Sequence, residues 1–81
     1  MYITTVKTRY GTESHSQILN LWRELGNARE QIRHLADLMI EQNGMVEDEF
    51  ESDKDHICVV DTKMEIHYSV VEMEVEEDSE C

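Results

Sequence analysis

Three side chains able to bind a soft metal ion, His56, Cys58 and His67, fall in the segment 56–67. Imidazole nitrogen and thiolate sulfur are ordinary zinc donors. The stretch HICVVDTKMEIHYSVVEMEV reads as a β-hairpin with a two-residue turn at Thr62-Lys63. That register pairs Val59 with Ile66 and Ile57 with Tyr68, and it puts Ile57, Val59, Met64, Ile66, Tyr68 and Val70 on one face. His56, Cys58 and His67 take the other face, with Cys58 directly across from His67. Cross-strand neighbours about 5 Å apart at Cβ can chelate one ion. A four-coordinate structural site, however, usually draws paired, closely spaced ligands from two knuckles, and here a fourth donor would have to be Glu65, Cys81 or a residue of a second subunit. The expectation is two half-exposed histidines and a small buried cysteine, with no metal and no cofactor assigned.

Nucleophilic chemistry at Cys58 is disfavoured, because a catalytic thiolate needs an electropositive setting and the neighbouring acids act the other way. The chain has no glycine-rich phosphate loop, no zinc-protease helix motif and no nucleophile elbow. No catalytic residue is assigned, and the protein is expected not to be an enzyme.

Carboxylates are the remaining chemistry. Residues 1–44 carry five basic and five acidic side chains, whereas residues 45–81 carry fourteen acids against Lys54 and Lys63, so the second part holds the whole net charge of −12. Such a surface repels nucleic acid and anionic membrane and attracts cationic surfaces. Two groups of acids stand out. Glu47, Asp48, Glu49, Glu51, Asp53 and Asp55 lie in a connecting segment, and Glu72, Glu74 and Glu76 alternate with apolar residues, which on a strand spaces them about 6.8 Å apart on one face. Arg23, Arg29 and Arg33 are interleaved with Glu30 and Asp37, which fits intramolecular ion pairs better than contact with DNA or RNA.

These groups need a scaffold. With 81 residues and no proline, the chain is read as one domain, 1–81, with regular elements and a frayed end at EEDSEC. No apolar run is long enough to span a bilayer, no signal peptide is evident, and two cysteines make no disulfide framework, so a soluble cytoplasmic protein is expected. Residues 2–10 read as a strand ended by Gly11, and GTESHS reads as a turn with Ser14 or Ser16 capping a helix. Ile18, Leu21, Leu25, Ala28, Ile32, Leu35 and Met39 recur at alternating spacings of three and four, which predicts a helix from residue 15 or 16 to Asn43-Gly44. Such a helix would be about 43 Å long. That is longer than so small a domain, so it either kinks at Gly26 or projects to meet another chain. A homodimer seam at Ile18, Leu21, Leu25, Ile32, Leu35 and Met39 is the expectation. The apolar phase slips at Val70-Val71, which predicts a bulge or a strand that changes partners.

The fold expected is α+β, in the order β-α-β-β, with one long helix on a three-stranded, mainly antiparallel sheet. The function expected is a non-enzymatic acidic module that binds the basic, nucleic-acid-binding surface of a larger protein, in its most specific form a DNA-mimic inhibitor of the kind bacteriophages encode, which would act in the host cytoplasm. Alternatives are a structural or adaptor homodimer and a small metal-binding regulator using His56, Cys58 and His67.

Overall fold

A computed structural model describes residues 1–73. The elements are β1 (Tyr2–Tyr10), β2 (Glu13–Trp22), α1 (Leu25–Asn43), β3 (Val46–Glu47), β4 (His56–Val60) and β5 (Met64–Glu72). All strand pairs are antiparallel, in the order β2-β1-β5-β4-β3, and α1 lies across one face of this five-stranded sheet. Among the described residues the class is α+β with a single helix, as expected, and the sheet has five strands instead of three.

The C-terminal hairpin has the register its turn dictates. Ile57 faces Tyr68, Cys58 faces His67 and Val59 faces Ile66. Ile57, Val59, Ile66 and Tyr68 are buried against Ile32 and Ala36 of the helix and Met45 behind it, with Met64 and Val70 packed on their margin.

The main correction concerns residues 13–22. They form β2 instead of the first half of a helix, so Ser14 and Ser16 are strand residues and cap nothing. The chain turns from β1 into β2 at Gly11 (φ 63°) and Thr12, a positive-then-negative sequence of φ that suits glycine at the first central position of a type II′ hairpin turn. Serine, histidine and asparagine are indifferent helix formers, and nine cross-strand pairs with β1 outweigh the propensity of this stretch. The helix-like spacing of Ile18 and Leu21 has a separate cause. Thr4 pairs with Asn20 and Thr5 with Ile18, so Leu19 is the extra residue of a β-bulge. A bulge adds one residue to the period of two, so Ile18 and Leu21, three apart, emerge on the same face while Leu19 packs on the core.

The helix therefore has 19 residues, about 28 Å, and fits its own domain. It neither kinks at Gly26, which is its second residue, nor projects. Ala28, Ile32 and Ala36, spaced by four, form its fully buried line, and the two alanines let it lie close to the sheet. Gly44 ends it in the left-handed region at φ 67°. A polar cluster fixes its N-terminal half: the buried Thr4 hydroxyl and the Trp22 indole N–H both donate to Gln31 Oε1, while Gln31 Nε2 donates to Asn20 Oδ1.

The bulge expected at Val70-Val71 is absent: β5 pairs with β1 without interruption from Met64 to Glu72. The phase slip has another origin. Val70 faces the helix, and Val71 joins Ile3 and Leu21 in a cross-strand row on the opposite face of the sheet. No helix of the described residues is long and apolar enough to cross a membrane.

Candidate functional site

Two features of the second half of the chain carry chemistry, and β4 joins them. The first is the segment between β3 and β4. Asp48 N–H donates to Cys58 O, extending the β3–β4 ladder, and the chain then turns tightly, with Phe50 N–H donating to Asp48 Oδ1 and Glu51 N–H to Asp48 O. Ser52 fastens the turn to the sheet. Its hydroxyl donates to Asp48 O at 2.8 Å and accepts from Cys58 N–H at 3.1 Å. Asp53 closes the segment by accepting from Asp55 N–H, while its own N–H donates to His56 O. The run of acids read from sequence as an irregular loop is thus a hydrogen-bonded turn. At its tip Phe50 is fully exposed between the exposed Glu49 and Glu51.

The second feature lies on the sheet face away from the helix. Cys58 Sγ is 3.8 Å from His67 Nε2, and the same nitrogen is 3.8 Å from Glu65 Oε2. Glu65 joins this group because it lies two residues before His67 on β5 and so shares its face. His67 Nδ1 meets His56 Nε2 at 2.9 Å. Their ring planes are within 10° of parallel with centroids 5.0 Å apart. An N···N distance of 2.9 Å is shorter than any face-to-face ring separation, so the rings meet edge to edge through a hydrogen bond instead of stacking. Arg9, across from Glu65 on β1, brings its guanidinium to 3.7 Å from the other carboxylate oxygen, Oε1. Burial first, then the charges of Glu65, Asp48 and Glu51, push the Cys58 thiol up to about 11. That leaves it a poor nucleophile at neutral pH. A concavity of about 320 Å³ opens beside the histidines, lined by Lys7, Arg9, Ser16, His56, His67 and Ser69 among others.

No protein-family model, no curated protein and no solved structure matches the chain. Function is therefore argued from these side chains alone.

The acids singled out from sequence do not form one surface. Glu47 points to the helix side, where Arg33 binds it at 2.8 Å, and Asp55 receives Arg29 at 2.7 Å. Both guanidiniums are held above their ordinary pKa, each first by the hydrogen bond to its carboxylate partner. Asp48 and Asp53 use carboxylate oxygens on backbone N–H groups. Glu49, Glu51, Asp53 and Glu72 are the exposed acids of the set among the described residues, and Glu74 and Glu76 lie outside those residues.

The residues of the expected dimer seam are likewise divided. Ile32 is in the core and Leu35 and Met39 pack on it, Leu25 is half-buried at the start of α1, and Ile18 and Leu21 stand on the far face of the sheet, 63% and 58% exposed. What sequence reasoning did not single out is Phe50 as a presented side chain. The available signal was Asp48 two residues before it and Ser52 two after, residue types that close local turns on the backbone.

Proposed function

We propose that the chain is a non-enzymatic protein-binding module that engages a basic surface of a larger, nucleic-acid-binding protein through its 48–55 turn. The observation that carries this reading is Phe50, a fully exposed aromatic ring held between two exposed glutamates on a pinned turn. A bare phenylalanine is costly to leave in water, and buried aromatic anchors dominate many interfaces. A surface rich in arginine complements all three groups, since guanidinium stacks on an aromatic face and pairs with carboxylate. Nucleic-acid-binding surfaces have that composition. The pairing of Glu47 and Asp55 within the molecule favours a compact acidic and aromatic knob over a long row of phosphate-like charges. The phage-type DNA-mimic form of the idea needs Glu72, Glu74 and Glu76 together with the acids of 47–55, doubled in a dimer, because the strand row alone is too sparse to match duplex phosphates.

The test is affinity capture from lysate followed by mass spectrometry, at about 0.05 and 0.5 M salt. The expected result is a basic partner lost at high salt, lost with Glu49→Lys/Glu51→Lys, and weakened by about 2 kcal/mol or more with Phe50→Ala. Capture indifferent to salt and to Phe50→Ala would refute the reading.

A second reading, a self-associating scaffold, is favoured by the row of Leu21, Ile3 and Val71, with Ile3 half-buried between the exposed Leu21 and Val71 and the exposed Ile18 beside it. Light scattering of Leu21→Ser tests it: a dimer that becomes a monomer supports it, and a wild-type monomer at high concentration opposes it.

A further inference from the structure

Cys58, Glu65 and His67 bring three different donors to one point on the sheet face away from the helix: a sulfur, a carboxylate oxygen and an imidazole nitrogen, all within 4.8 Å of one another, with Cys58 buried and the other two half-exposed. We propose that these three residues bind a single zinc ion, with water in the fourth position facing the concavity.

The geometry is close to what zinc requires. Tetrahedral coordination with Zn–S near 2.3 Å and Zn–N and Zn–O near 2.0–2.2 Å places donor atoms roughly 3.3–3.6 Å apart. Two of the separations here are 3.8 Å and the third is within 4.8 Å, so a rotation of the half-exposed Glu65 side chain, with a shift of a few tenths of an ångström between Cys58 and His67, closes the site. Cys58 and His67 are paired across β4 and β5 and need no movement of the backbone. The ligand class suits the ion: thiolate, imidazole and carboxylate are all zinc donors, and one thiolate with one carboxylate neutralises a dication, so the loaded site is neutral. On binding, the Cys58 S–H proton passes to solvent and the thiolate pair goes to the metal.

The neighbours of the triad sit where outer partners of a metal site belong. His67 Nδ1 lies 2.9 Å from His56 Nε2, and in the tautomer in which His67 is the donor of that hydrogen bond its Nε2 lone pair faces Cys58 and Glu65. Arg9 lies 3.7 Å from Oε1 of Glu65, on the side away from the Oε2 that faces His67.

The experiment uses the full chain with Cys81→Ser, reduced and freed of metal by chelation, titrated separately with Zn²⁺ and with Co²⁺. One equivalent of Zn²⁺ should bind, and Co²⁺ should produce a thiolate-to-metal charge-transfer band. Cys58→Ser should abolish the band, and Glu65→Gln, whose site is partly exposed and whose shape is preserved, should weaken Zn²⁺ by more than about 100-fold. His56→Ala should weaken it by about 10–100-fold. Circular dichroism checks that each variant is folded. Absence of the cobalt band in the parent, or a Zn²⁺ affinity that stays within threefold in both Cys58→Ser and Glu65→Gln, would overturn the proposal.

Discussion

Ser52 is the residue by which the acidic turn is fastened to the sheet, and its removal has a calculable cost. In Ser52→Ala the hydroxyl that accepts from Cys58 N–H and donates to Asp48 O is lost. Asp48 O keeps Glu51 N–H as a donor at 3.1 Å, so its loss is small. Cys58 is fully buried, and its amide is left without a partner. A buried donor stranded in this way costs about 1–3 kcal/mol. For a domain of this size each kcal/mol lowers the melting temperature by about 4–8 °C. If the turn instead detaches, water reaches the amide and the cost is capped at the docking energy of the turn. Urea denaturation measures the first outcome, and hydrogen exchange at the Cys58 amide measures the second. Ser52→Thr, which keeps the hydroxyl, should behave like the parent. A Ser52→Ala protein with unchanged melting temperature and unchanged protection at Cys58 would refute the assignment of this hydroxyl as the fastening.

Phe50→Ala should leave the urea midpoint within about 0.5 kcal/mol of the parent, because the ring is fully exposed. Ile32→Ala empties a fully buried site and should cost about 2–5 kcal/mol by chemical denaturation, whereas Leu21→Ala, at 58% exposure, should cost under about 1 kcal/mol in the monomer. Gly44→Ala meets no atom but must adopt φ 67°, so a loss of about 1 kcal/mol is expected from backbone strain alone. In the Cys81→Ser, metal-free protein, a Cys58 thiol titrating near 11 instead of 9.0 carries about 100-fold less thiolate at pH 8, so iodoacetamide labelling should be slow and should accelerate as pH rises toward 11.

The C-terminal hairpin was legible because two independent signals, the Thr62-Lys63 turn and the alternation on both sides of it, demand one register. The same register brought Cys58 opposite His67 before any coordinates were considered. The helix C-terminus was legible from Asn43-Gly44 for the same reason: the residue type answers a backbone requirement. Its beginning was not, because the bulge at Leu19 gives β2 a spacing of three that merges with the true helical spacing after Leu25. Two elements thereby imitated one continuous heptad pattern. Glu65 could be named only as one of several donors, since composition does not say which carboxylate will face His67. The acids of residues 47–55 were visible as charge, but their division into ion-paired, backbone-bonded and free depends on Arg29, Arg33 and the local turn. That is a matter of tertiary placement.

The strand order has a consequence for how the chain is made. β1 pairs on one side with β2, its neighbour in sequence, and on the other with β5, the last described strand. The β1–β2 hairpin and the helix can form from local contacts as they leave the ribosome, but the central β1–β5 ladder must wait until β5 has emerged. Until then, the nascent hairpin carries an open edge along β1, and the slow step of biogenesis is the arrival of β5 to seal it before another nascent chain does.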